Sequence, residues 1–366
     1  MSSSRSLPAL AGTAAAVLVL AGCAQSDGSE ASSTSADRTT QAATADAPAP
    51  FSDGPVEIAL VRQSGAGDYF EAWGQGAQNQ AEAAGIDLTV TDARNDNARQ
   101  ASDLEQAIAA RPDAIIVDHG QTDTLAPLVQ EAVDAGIPVV VYDLELPDIP
   151  GVVTTSQSDE SMAEGVLDTL VEDVGDGAPV GYVSATGYAA LDRRAAVWNS
   201  YVTEHDLDQA FSTGEVTEST ATDNIPLVDA ALKQTPDVDA VFAPYDEIAK
   251  GTVQAVIQNN LQDSVRVYGI DISNADIEVM TAEDSPWVAT AATDPTEVGG
   301  AVVRTTALQL AGQLTETSVQ FQAVVITQDF LRENDISTVD QLREELPELQ
   351  LDDTSVADWL PNNAGA

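Results

Sequence analysis

Aromatic rings and carboxylates recur in this sequence where apolar runs end. Tyr69, Phe70 and Trp73 follow "VEIALV" and a glycine-rich turn, Asp118 and His119 close "DAIIVD", and Asp143 ends "IPVVVYD". Tyr245 and Asp246 end "DAVFAPYD", and Asp271 ends "VRVYGID". Carboxylates can accept hydrogen bonds from pairs of hydroxyls, while aromatic rings lie against the C–H faces of a saturated ring. Gathered in one place, these residues suit a small polyhydroxy ligand. A dinucleotide suits them poorly. The phosphate-binding fingerprint needs a further glycine where Phe70 stands, counting from Gly65 and Gly67. "DARNDNARQ" fails as a calcium loop, because Arg94 interrupts the alternating oxygen ligands; Asp96 or Asn97 reads as the cap of the next helix. Cys23 is the only cysteine and His119 and His205 the only histidines, and none stands in a motif for acyl transfer or zinc hydrolysis. The expectation is a binding protein without metal or cofactor, making and breaking no bond. His205, in "TEHDLD", reads as a solvated helix end.

The elements that must position these residues alternate regularly. β-rich runs at 56–61, 86–90, 113–118 and 137–143 are separated by helical patterns near 69–84, 98–110 and 124–135. Near-continuous Val and Ile runs between helices imply a parallel sheet covered on both faces. In "TDTLAPLVQEAVDAG", Leu125, Leu128, Val129 and Val133 share one helix face and Gly136 ends it. The pattern restarts at "GVVTT" (151–155) and continues through strands near 179–185, 210–216, 239–246, 265–271, 286–294 and 320–327. The same architecture is used twice, and ligands of open parallel sheets lie beyond the carboxyl ends of the strands. Two such lobes would face each other across a cleft.

"DAIIVDHGQTDTLAPLVQEAVDAGIPVVVYD", "VFAPYDEIAKGTVQAVIQNN" and "VRVYGID" resemble, in order and spacing, the type I periplasmic sugar-binding proteins of the ribose- and galactose-binding branch, which serve ABC importers. The resemblance covers about residues 55–330. It implies an α/β fold of two doubly wound parallel-sheet lobes joined by three crossover strands, crossing near 156–158, near Asp294 and near 326–327. The N-terminal lobe would then be 55–156 plus 295–326, and the C-terminal lobe 157–294 plus 327–366. It also implies that Tyr69 and Phe70 stack on the ligand, that Asp143 and Asp271 accept its hydroxyls, and that Trp73 packs. Asp118, His119 and Tyr245 would line the cleft, whereas Asp246 could instead cap its helix. The matching second-lobe segment "ALDRRAAVW" places Asp192 on the position of the family's cleft arginine, with Arg193 and Arg194 beside it, and Thr293 replaces an amide at the second crossing. Such a pocket would be richer in carboxylates and poorer in guanidinium groups than a ribose site. A pentose, a polyol or a similar solute is expected, and unpaired carboxylates would also admit a small amine. The implied partners are that ligand and the permease subunits, with the protein monomeric; a sensor reporting to a membrane receptor kinase is the alternative.

The 366 residues carry 14 basic and 60 acidic side chains, a net charge of −46, and Lys233 and Lys250 are the only lysines. This excludes nucleic acid as a partner, since phosphate binding needs clustered Lys and Arg. A uniformly acidic, lysine-poor surface instead fits a saline, halophilic setting, where salt screens self-repulsion. Arg5, an apolar run from Leu7 to Leu20 and "LAGC" at 20–23 read as a lipoprotein signal peptide over 1–22, with Cys23 lipidated. Residues 23–54, small, polar and proline-punctuated, read as a disordered tether. The expected location is extracytoplasmic, lipid-anchored to the outer face of the cell membrane. "VDQLREELPELQLDDTSVADWL" (339–360) has helical periodicity and no evident function.

Overall fold

The computed structural model describes residues 47–362. Cys23 and the signal segment lie outside them. The chain forms β1 (Val56–Arg62), α1 (Asp68–Ala84), β2 (Ile86–Asp92), α2 (Asn97–Ala110), β3 (Ala114–Asp118), α3 (Thr122–Asp134), β4 (Val139–Tyr142) and β5 (Val152–Gln157). After the first crossing come α4 (Asp159–Val174), β6 (Pro179–Val183), α5 (Ala189–Glu204), β7 (Asp208–Thr213), α6 (Thr220–Gln234) and β8 (Ala240–Ala243). Then follow α7 (Asp246–Gln258), β9 (Arg266–Ile270), α8 (Asn274–Thr281), β10 (Trp287–Ala292), α9 (Pro295–Leu310), β11 (Ser318–Phe321), β12 (Val324–Thr327), α10 (Gln328–Glu333) and α11 (Val339–Glu345).

Two six-stranded sheets result, ordered β11-β5-β4-β3-β1-β2 and β12-β10-β9-β8-β6-β7. The first is parallel throughout, and in the second only β12 runs antiparallel, against β10. In each sheet the first strand of the lobe pairs with the second on one side and the third on the other, so chain direction switches there. That switch point opens the crevice at the strand ends. The buried runs "AIIVD" and "VVVY" explain the near-continuous apolar sequence: both faces of β3 and β4 are covered. α9 crosses α1 so closely that a Cβ on Gly76 would stand 1.9 Å from the Thr296 carbonyl oxygen, and one on Gly299 2.0 Å from that of Trp73. Glycine is required at both positions.

Three sequence expectations need correction. The strand expected at 320–327 is two strands: β11 joins the first sheet, β12 the second, and the chain crosses at Gln322–Ala323 rather than at 326–327. No glycine or proline marks that break, so both strands read as one run. The C-terminal segment does not stay with the second lobe. α11 packs Val339 and Leu342 into the second lobe's core, but Leu351, Trp359 and Leu360 belong to the first lobe's core. Finally, packed structure begins earlier than the tether reading allowed, since Ala47 and Phe51 lie against the first lobe and the Phe51 ring is 4.8 Å from that of Trp359.

Candidate functional site

The cleft between the lobes holds a pocket with about 550 Å³ of space, counting the open solvent at its mouth. Tyr69, Phe70, His119, Tyr245 and Asp271 line it, as expected from sequence. Three residues that follow strands, His119, Asp143 and Asp271, have φ of 56°, 45° and 79°. A left-handed backbone is unfavourable for side-chain-bearing residues and is kept where surrounding structure enforces it. Their amides donate to Tyr142, Thr155 and Ala291 carbonyl oxygens, each on an adjoining strand. The ladders thereby continue past the strand ends and aim these side chains into the space between the lobes.

On the first-lobe wall, Phe70 lies edge-on to His119, with centroids 5.1 Å apart, and to Tyr69 at 5.5 Å. Tyr69 is almost wholly buried, and its hydroxyl pairs with that of Tyr142. Burial, the first cause, pushes both phenols well above their usual pKa. Trp73 packs, stacked on Tyr142 at 5.2 Å and covered by the Arg62 guanidinium at 5.1 Å. Asp118 does not line the pocket. One of its oxygens accepts from Arg62 Nε at 2.7 Å and the other meets His119 Nδ1 at 2.6 Å, so it orients the imidazole. Burial opposes its ionisation, but Arg62 and His119 outweigh that and hold the carboxyl below its usual pKa. Burial would likewise lower the His119 pKa, and the Asp118 bond and the charges of Asp118 and Asp143 raise it instead.

The second-lobe wall is organised by two adjacent arginines on α5. Successive helix side chains point about 100° apart, and the pair divides its work accordingly. Arg194, which sequence reasoning placed only beside the site, lines the pocket and donates to Asp159, to the Pro244 carbonyl oxygen and to Asp271. Arg193 turns to Asp159 and reaches Asp143 of the first lobe at 2.6 Å. Asp192 is exposed and accepts from the Gly187 amide, outside the pocket. The expected guanidinium-poor, carboxylate-rich pocket is therefore corrected: Asp143, Asp159 and Asp271 are already paired with arginine. Asp143 keeps one buried oxygen, Oδ2, with no hydrogen-bond partner, and burial, then the Asp159 charge, raise its pKa to about 7.

The hinge contributes a relay that the sequence reading missed. Thr293 does not line the pocket; its hydroxyl donates to Gln157 Oε1 at 2.6 Å, and Gln157 Nε2 donates to Asp271 Oδ1 at 3.2 Å. A glutamine at a strand end that also crosses between lobes was the available signal. Gln63, Ala66, Asn95, Tyr188, Ala190, Leu191 and Val216 complete the lining and sit on loops or first helical turns whose sequence carries no pattern. Asp246 does not cap α7, since neither of its buried oxygens accepts a hydrogen bond. Asp96 does cap α2, accepting from the Ala98 and Arg99 amides. His205 is half-buried at the end of α5, against Asp176. Among the described residues no acidic, His or Cys cluster fits a metal ion, and no helix is long and apolar enough to cross a membrane.

Residues 58–314 match the periplasmic binding protein domain family. The chain belongs to that family, whose members are non-enzymatic, extracytoplasmic solute-binding components of transport. It is 25% identical over 233 residues to the ribose import binding protein RbsB of Bacillus subtilis, covering 63% of this chain and 74% of that protein. Its fold matches, with a TM-score of 0.81 and 37% identity, a 5-methylthioribose transporter solute-binding protein from Thermotoga lettingae in complex with 5-methylthioribose, covering 83% of this chain and 97% of that one. A sugar ABC transporter protein from Yersinia enterocolitica matches with a TM-score of 0.81 at 28% identity, covering 84% and 93%.

Proposed function

We propose that the cleft binds a pentose carrying an apolar substituent, held with its hydroxyls toward the hinge and the substituent toward the outer rim. The chain is a sugar-binding solute-binding protein of an ABC importer, so the open question is which sugar. The observation that carries the reading is a gradient of polarity along the cleft. Strands β5 and β11 flank the crossings, and β2 and β7 lie at the opposite edges of the two sheets. Near the hinge stand Gln157, Asp271 and Arg194, an ionic and amide cluster suited to hydroxyls. Beyond β2 and β7 stand Asn95 and Val216. The Asn95 amide is taken up across the cleft by the Thr217 carbonyl oxygen at 3.2 Å, which leaves Val216, with Tyr188, Ala190 and Leu191, to present carbon. A thioether such as that of 5-methylthioribose, the ligand of the Thermotoga lettingae relative, matches such an end. A small amine matches less well, because the arginines already neutralise the cleft carboxylates.

The delivery mechanism is closure of two lobes over the ligand, with the closed form presented to the permease. An anchor at Cys23 and a monomeric state belong to the same proposal. A thermal-shift panel of alkylthio- and unsubstituted pentoses, hexoses, polyols and amines in high salt tests it. A true ligand at a thousandfold excess over Kd stabilises the protein by about 4 kcal/mol. The largest shift is expected with an alkylthiopentose, and a shift confined to amines would refute the reading.

A further inference from the structure

One of the chain's two lysines sits among four carboxylates where the lobes meet. Lys250 lies in the second turn of α7, with its side chain only 13% exposed. Its Nζ is 2.7 Å from Glu247 Oε1, 3.3 Å from Asp276 Oδ1 and 3.8 Å from Asp246 Oδ2, all in the second lobe. The fourth partner, in direct contact, is Asp68, the first residue of α1 in the first lobe. Glu247 also spans the gap, accepting from the Asp68 amide at 3.2 Å. Gly67 fits beneath, where a Cβ would stand 3.1 Å from the Tyr245 hydroxyl and 3.2 Å from Glu247 Cγ. Lys233, by contrast, forms an exposed pair with Asp229 one turn away.

We propose that Lys250 is a positioning residue for ligand capture: a latch whose contact with Asp68 sets how readily the lobes stay closed. Without Lys250, Asp68 would approach Glu247 and Asp276 with no cation between them, and like charges at such separations repel strongly where water is partly excluded. With Lys250 the same approach becomes attractive. Asp246 and Asp276 are fully buried, and no hydrogen bond is found for either Asp246 oxygen. The ammonium is thus held on the second lobe whether or not Asp68 is near, and the Asp68 contact is the part that opening removes.

The proposal rests on the closing-cleft reading, but its test needs no ligand, so an error in the sugar assignment leaves it readable. Spin labels at Arg99→Cys and Ser200→Cys, exposed sites on the two lobes, in the full chain carrying Cys23→Ser, report the interlobe distance by double electron–electron resonance. Lys250→Gln is expected to move the distribution to longer distances, and Asp68→Asn added to it to move the distribution back. Lys250→Arg should keep the original distribution. Asp68→Asn alone, at a 40% exposed side chain, should lengthen the distances modestly, and it keeps the test open if Lys250→Gln folds poorly. Distributions unchanged by Lys250→Gln and by Asp68→Asn, or lengthening in Lys250→Gln that Asp68→Asn fails to reverse, would overturn the latch.

Discussion

Arg193 of the second lobe and Asp143 of the first stand 2.6 Å apart across the cleft, and the other Asp143 oxygen is buried with no hydrogen-bond partner. Neither residue lines the pocket, contrary to the sequence expectation; the pair instead ties lobe closure to a buried carboxylate behind the pocket wall. Asp143→Ala should weaken ligand binding by about 2–4 kcal/mol, the scale of a lost buried charged hydrogen bond, with the loss mainly in the off-rate. Stopped-flow release kinetics read this directly.

Arg194 joins Asp159, Asp271 and the Pro244 carbonyl oxygen in a buried network. Arg194→Met deprives Asp271 of its arginine while Asp159 keeps Arg193, and breaking a buried pair from one side costs about 3–5 kcal/mol. Urea unfolding of the ligand-free protein should show that loss. Arg193→Met, at a side chain 22% exposed, should cost less stability while still weakening binding.

Stability should fall as pH rises from about 4 to 7. Burial raises Asp143 to about 7 and Asp276 to about 6, and pushes Asp246 well above its usual value. His119 is raised by Asp118 despite burial. A group with a raised folded pKa binds its proton more tightly in the native state, so its contribution is complete below the unfolded pKa and disappears as pH passes the folded value. For Asp143 and Asp276 that window runs from about 4 to 7. Asp118 shifts the other way and acts only in acid. Thermal melts across the series test the sign, and Asp276→Asn should flatten the slope beyond what surface acidity explains.

The C-terminal segment should behave as a strap. Arg343 on α11 pairs with Asp294 at the second crossing, and Arg304 on α9 donates to the Leu351 and Thr354 carbonyl oxygens and to Asn362. Trp359 is buried against the first lobe. Arg304→Met with Trp359→Ala should free residues beyond 350 to protease while the sheets stay folded, because burial of one Trp is worth about 3–5 kcal/mol. Limited proteolysis with mass mapping shows whether trimming stops there.

The two-lobed architecture was legible because β3, β4, β8 and β9 are buried on both faces and read as unbroken apolar runs. Strand-end residues such as Asp271 followed directly, since the fold dictates where strand ends go. What Asp192, Arg193 and Arg194 do was not legible. A rotation of one residue on α5 exchanges solvent, the Asp143 contact and the pocket, and α5 carries too weak an apolar stripe to fix that rotation from sequence. Val216 and Asn95 escaped notice because their place depends on two sheet edges meeting, which only the assembled lobes define. The tail was misread for a similar reason: its apolar residues are periodic, but periodicity does not say which lobe they cover.

Titration calorimetry of 5-methylthioribose and D-ribose against the wild-type protein and Val216→Asn tests the central claim most directly. The account predicts that the wild type binds the thioether sugar more tightly by about 1–3 kcal/mol, the worth of an apolar group in an apolar pocket, and that Val216→Asn narrows the difference. Equal affinity for both sugars in the wild type, or a preference for ribose unaltered by Val216→Asn, would contradict it.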